Sequence, residues 1–168
     1  MHFKLKQIRI KELNVVLDMF KDAADRISKK NIDHWQYWKS PPPEKVNWVK
    51  EGLLNKQFYF IVSINDDVIG MVRVLNKDLL YWGDKNDRAR YIHSLTIKEK
   101  YNGLGLGAAV IKKIEAQSQN CDFIRLDCDS KNTQLCSYYL RLGFLKVGEK
   151  KLPLSIYNLY EKQININL

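Results

Sequence analysis

The chain has 168 residues, of which 45% are hydrophobic and 28% charged, a size and balance that suit one soluble globular domain able to bury a core without disulfides or a structural metal. Lys and Arg number 28 against 19 Asp and Glu, a formal charge of +9, yet the lysines are scattered from Lys4 and Lys6 through Lys29 and Lys30 to Lys150 and Lys151, and no basic tail, Arg-rich helix or recognition signature of a nucleic-acid binder accompanies them. There is no long uncharged apolar run, and no signal-peptide core follows the opening MHFKLKQIRIK, which predicts a cytoplasmic protein with no membrane partner.

Residues 3–10 alternate apolar and polar side chains and predict a first strand with one wet face. Residues 12–27 read as a helix with Leu13, Leu17, Phe20, Ala24 and Ile27 inward. Residues 31–39 are aromatic-rich and irregular, and they run into Ser40-Pro41-Pro42-Pro43, a stiff extended break. A second helix is expected over 44–55, with Val46, Val49 and Leu53 on one side. Strands at 58–64 and 68–75 are joined by Asn65-Asp66-Asp67, turn chemistry for a hairpin. Residues 79–82 read as a short extended piece, 85–88 as a polar loop and 90–97 as a strand. The helix over 106–117 places Leu106, Ala109, Val110, Ile114 and Gln117 on one face. A strand at 123–128, a helix over 132–142 ended by Gly143, and strands at 144–147 and 155–161 complete a single α+β domain over residues 1–168. Cys121, Cys128 and Cys136 are an odd number without C-x-x-C spacing; they read as small buried hydrophobes, and no metal is expected.

The segment of densest chemistry is Tyr101-Asn102-Gly103-Leu104-Gly105-Leu106-Gly107-Ala108, which leaves a strand and opens a helix. Glycines let the backbone approach a ligand closely, and the free N–H groups of a first helical turn point at an anion. The turn therefore predicts a phosphorylated cofactor. A Walker A loop requires Lys-Ser or Lys-Thr after its glycines, and none is present. A dinucleotide fingerprint needs G-x-G-x-x-G in the first strand–helix turn; here the spacing is G-x-G-x-G and several strands precede it.

Residues 95–108 (LTIKEKYNGLGLGA) resemble the acetyl-CoA-binding motif of the GNAT superfamily of N-acetyltransferases, with Asn102 where that family usually carries Gln or Arg. A second block resembles the family's other signature, N-x-x-A-x-x-x-Y-x-x-x-G-F: Asn132, Tyr139, Gly143 and Phe144 match in register, and Leu135 replaces the usual Ala. The resemblance covers residues 58–162 well and implies a mixed, mostly antiparallel sheet of about seven strands, splayed in the middle and flanked by about four helices. It implies acetyl transfer from acetyl-CoA to an amine by direct attack in a ternary complex. The acceptor, a small molecule or a peptide amine, has no motif, and a homodimer is compatible with the family.

By that register, the backbone of Leu95 and Ile97 would pair with the pantetheine arm, and the N–H groups of Asn102, Gly103, Leu104, Gly105, Leu106, Gly107 and Ala108 would hold the pyrophosphate. Tyr139 would protonate the departing thiolate, with Tyr138 as its control position; Tyr139 also lies on the stripe Leu135, Tyr139, Leu142, which suits a packed core tyrosine equally. Asn132 would bind pantetheine or cap its helix. His93 is the candidate base, sharing a face with Leu95 by the strand period of two; a structural histidine, Asp127, Asp129 or a water chain are the competing readings. His34, Trp35, Trp38, Tyr81 and Trp82 form an aromatic set that would wall an acceptor or make a satellite hydrophobic cluster. Two other functions stay open: an acyl-CoA-binding regulatory module without turnover, and an acetyltransferase acting on aminoacyl-tRNA.

Overall fold

A computed structural model describes residues 2–164. Among these residues, seven strands follow the hydrogen-bonded order β1-β2-β3-β4-β5-β7-β6, mostly antiparallel, with five α-helices. Residues up to Arg73 together with Ser94–Gly107 form one compact unit; Val74–His93 together with the residues from Ala108 onward form a second.

In the first unit, β1 (Phe3–Gln7) pairs antiparallel with β2 (Phe58–Ser63), and β2 with β3 (Val68–Leu75). The β2–β3 turn closes where the Ser63 hydroxyl accepts the N–H groups of Asn65 and Asp67 at 3.2 and 3.1 Å, with Asp66 in the left-handed region at φ 62°, a conformation Asp tolerates better than most side chains. The first strand ends at Gln7 rather than at residue 10, because the Glu12 carboxylate reaches back to the Arg9 N–H at 2.8 Å and winds Ile10–Glu12 into a 3-10 turn. Helix α1 (Leu13–Ser28) buries Val16, Met19, Phe20, Ala23 and Ala24, a face rotated slightly from the expected one. Helix α2 (Pro43–Leu54) starts on Pro43, whose missing N–H costs nothing in a first turn. Phe20 sits at the centre of this core, stacked on Trp38 at 4.0 Å and edge-on to Phe58 at 6.4 Å.

The second unit contains the first part of β4 (Ala89–Ile97, up to His93), which runs parallel to β5 (Phe123–Asp129) from the pair Ala89 and Phe123 to the pair Ile92 and Leu126. β5 pairs antiparallel with β7 (Ser155–Gln163), and β7 with β6 (Leu145–Leu152). Strand β6 is eight residues long, twice the expected stretch. Helix α4 (Leu106–Ala116), of which this unit holds the residues from Ala108, buries Val110, Ile111 and Ile114 there; Gln117, expected on that face, is exposed beyond the helix end. Helix α5 spans Thr133–Arg141.

Residues 79–82 are not extended. Leu79–Trp82 is a single helical turn, α3, set by Asp78, whose Oδ1 accepts the Tyr81 N–H at 3.2 Å, and stopped by Gly83 at φ 71°.

Candidate active site

The glycine turn begins with a 3-10 turn at Glu99–Tyr101. Gly103 and Gly105 take φ values of 79° and 68°, and an added Cβ at either would meet nothing within 4 Å. The backbone itself therefore faces open space there. The cradle is shorter than the sequence suggested, because the Asn102 N–H donates to the Glu99 carbonyl at 3.0 Å. The N–H groups of Gly103, Leu104 and Gly105 have no protein partner among the described residues. At the start of α4 the Tyr138 phenol interacts with the Ala108 backbone, so the Ala108 amide is in part covered.

Leu95 and Ile97 lie beyond Ile92, the last β4 residue of the β4–β5 ladder. The Ile97 carbonyl accepts Arg26 Nη1 at 2.7 Å, which leaves its N–H as the group able to reach a ligand. Ser94 takes a φ of 53°, and a left-handed residue breaks the alternation of a strand. The expectation that His93 and Leu95 share a face by the period of two does not carry across it.

His93 lies between two carboxylates of the second unit. Its Nε2 is 2.7 Å from Asp78 Oδ2, and its Nδ1 is 3.5 Å from Asp127 Oδ2. One ligand atom from each lies within 4.8 Å of the others, the spacing of a cation site, although Nε2 and the Asp78 carboxylate already engage each other. Asp127 Oδ2 is buried without a hydrogen bond. Burial pushes the Asp127 carboxyl up from 3.8 to about 6, against the opposing pull of His93.

Tyr139 projects from α5 into the same surroundings. Its ring contacts Phe144 at 6.1 Å and Tyr160 at 5.9 Å. Burial, reinforced by Cys128 and Asp127, raises its pKa above that of an ordinary phenol, which makes it a weaker acid than free tyrosine. Cys128 and Cys136 carry free thiols whose sulfurs lie 3.4 Å apart. Asn132 Oδ1 accepts the Leu135 N–H at 3.1 Å; of its two expected roles the cap is realised, and only Nδ2 remains to meet a ligand.

The aromatic set separates. Trp38 is 3% exposed within the first unit's core and Trp82 is 7% exposed beside Ala89 and Tyr91, so neither presents a ring to a ligand; both are packing residues. Trp35 is half-buried, edge-on to Phe20 and stacked on His34. Tyr81 is half-buried, 5.5 Å from the His93 ring and 5.2 Å from Tyr157. Sequence reasoning missed Asp78. Its only signal was a helix-capping residue type ahead of Leu79, hidden because the turn that it caps is too short to show a period.

The sequence profile of the acetyltransferase (GNAT) family matches residues 25–144. An uncharacterized N-acetyltransferase from Bacillus subtilis, YesJ, is 30% identical over 120 residues, covering 67% of this chain and 65% of that relative, just under two thirds of its length. Among solved structures, a GNAT-family acetyltransferase from Listeria monocytogenes superposes with a TM-score of 0.76 at 21% identity, over 96% of this chain and 94% of its own. One from Streptococcus agalactiae gives 0.77 at 18%, over 96% and 95%. A spermidine N-acetyltransferase from Vibrio cholerae, solved with CoA and spermine, gives 0.66 at 16%, over 96% and 95%. At these identities the likeness establishes the shared fold. The profile match over most of the chain establishes the family: this protein belongs to the GNAT acetyltransferases.

Proposed function

We propose that the chain is an acetyl-CoA-dependent N-acetyltransferase acting on a small amine; the family match runs over residues 25–144. The glycine turn fits the cofactor. Gly103 and Gly105 leave their backbone uncovered, and the N–H groups of residues 103–105 are unpartnered among the described residues, next to the positive end of the α4 dipole. Bound there, acetyl-CoA supplies an acetyl thioester. The Ile97 and Leu95 backbone groups are those we assign to its pantetheine arm.

The observation that carries the reading is His93 lying beside Asp127, its Nδ1 3.5 Å from Asp127 Oδ2. His93 takes the proton of the acceptor ammonium. Tyr139 gives its proton to the departing thiolate, a stronger base than its conjugate thiol would suggest once water is excluded. Tyr81 is the aromatic surface assigned to the acceptor, since it is half-buried rather than sealed and lies 5.5 Å from the His93 ring. A small polyamine is the first acceptor to try, given the spermidine N-acetyltransferase that shares the fold. Acetyl-CoA consumption measured against a panel of amines tests the reading; consumption that no amine accelerates would remove it.

A further inference from the structure

Asp78, His93 and Asp127 come from three separate segments of the second unit: the residue before α3, strand β4 and strand β5. Their side chains are 6%, 13% and 7% exposed. Asp78 uses its two oxygens on different partners. Oδ1 accepts the Tyr81 N–H at 3.2 Å, and Oδ2 lies 2.7 Å from His93 Nε2. A neutral imidazole has one N–H and one lone pair, and an ionised carboxylate can only accept. The proton therefore belongs on Nε2. The lone pair is then on Nδ1, the nitrogen that faces Asp127 at 3.5 Å.

We propose that Asp78 is the positioning residue of this site: by accepting the Nε2 proton it fixes His93 in the tautomer whose Nδ1 takes the proton of the acceptor amine. The inference rests on the reading of His93 as the base. In the step, an N–H bond of the acceptor ammonium breaks and its proton joins Nδ1, giving an imidazolium between two carboxylates. The electron pair left on the acceptor nitrogen forms the bond to the acetyl carbon; as the C–S bond breaks, its pair leaves on sulfur, which takes the Tyr139 proton, and the second proton shed by the nitrogen restores the Tyr139 phenol. With Asp127 ionised, the trio goes from a net charge of about −2 to about −1, a direction that a buried site favours. The second oxygen of Asp78 extends the arrangement to the acceptor side. The carboxylate that orients the base also caps the turn carrying Tyr81, whose ring lies 5.5 Å from the imidazole.

Long-range proton–nitrogen correlation on uniformly ¹⁵N-labelled protein reads the tautomer directly. The chain has 3 histidines, and His93→Gln identifies the ring signals in question. Recorded above the pH at which the imidazole loses its second proton, the wild type should show a protonated Nε2 and a bare Nδ1. Asp78→Asn, whose Oδ1 can still cap Tyr81, should lose this preference. Its kcat should fall about 10²-fold with KM nearly unchanged, measured with putrescine, spermidine and spermine as acceptor probes. A wild type protonated on Nδ1, or an Asp78→Asn protein with the wild-type tautomer, overturns the proposal. Asp78→Ser, which keeps a capping oxygen but no charge, repeats the test if the Asn variant does not fold. Full turnover in His93→Gln would instead sink the base reading, and with it the catalytic half of this proposal, whatever the tautomer.

Discussion

Arg125 and Asp87 meet through two parallel contacts, Nη1 and Nη2 lying 2.6 and 2.5 Å from the two carboxylate oxygens. Glu161 at 2.7 Å and the Tyr91 hydroxyl at 2.8 Å complete the donors' partners, and the Arg125 side chain is 4% exposed. Burial alone would lower the pKa of the guanidinium; the hydrogen bonds to Asp87, Glu161 and Tyr91 outweigh it and raise the value. Removing the cation would leave two partly exposed carboxylates, Asp87 at 32% and Glu161 at 22%, and the buried Tyr91 hydroxyl without their partner. Arg125→Ala should lower stability by roughly 2–3 kcal/mol, and Arg125→Lys should recover only part of it, because a point charge cannot reproduce the two-pronged geometry. Urea unfolding of the three proteins checks both statements.

The same pair sets an acid limit. The hydrogen bond from Arg125 holds the Asp87 carboxyl below its ordinary 3.8. Its contribution is therefore present above about pH 4 and fades as pH falls through the depressed value. Midpoints of urea unfolding at pH 5 and pH 2.5 should differ more in the wild type than in Asp87→Asn.

Asp127 behaves in the opposite sense. Its folded pKa is raised from 3.8 to about 6, so the folded protein holds this proton more tightly than the unfolded chain does. That advantage is complete below pH 4 and is lost as pH rises through 6. At pH 8 the buried carboxylate costs about 3 kcal/mol. Asp127→Asn should thus be more stable than wild type at pH 8, no more stable at pH 4, and slower in acetyl transfer. Thermal melts at the two pH values decide the first two points. A variant that is less stable at pH 8 would show that the carboxylate is favourably paired.

Tyr139→Phe should reduce kcat about 10²-fold while leaving acetyl-CoA affinity nearly unchanged, the expected loss for a proton donor that binds nothing in the ground state. Tyr138→Phe, on the neighbouring helical position, should keep most of the turnover. Near-normal turnover in Tyr139→Phe would return this residue to a packing role against Phe144 and Tyr160.

Gly105→Glu should abolish acetyl-CoA binding by calorimetry. The new side chain would force a left-handed residue at φ 68°, costing roughly 1–2 kcal/mol, and would put a negative charge where the diphosphate is assigned. Gly105→Ala should weaken binding by less than Glu, since open space surrounds the Cβ.

The order of helices and strands was legible because long segments carry long patterns: α1, α2, α4 and the β2–β3 hairpin fall within a few residues of where their apolar periods and turn residues put them. The glycine turn was legible for a similar reason, its chemistry being contiguous. What could not be read had no contiguous signal. Asp127 is a candidate already from its place on the adjoining strand, but Asp78 lies 15 residues before His93, and only the fold brings those two together. A four-residue helix such as α3 has no period to recognise. Trp38 and Trp82 occur in short irregular stretches, where an indole facing inward and one facing a ligand look identical on paper. The use of the Asn102 N–H by Glu99 belongs to turn geometry that composition does not encode.

The sorting of the indoles offers a spectroscopic handle. Trp35, Trp38 and Trp48 belong to the first unit and Trp82 to the second, with Trp82 lying 4.9 Å from the Arg125 guanidinium. In Trp82→Phe protein, all remaining tryptophan emission reports on the segment around Phe20. In a chain keeping only Trp82, it reports on the surroundings of Arg125. Fluorescence followed through denaturant in the two backgrounds would reveal whether the halves of this molecule melt together or in sequence.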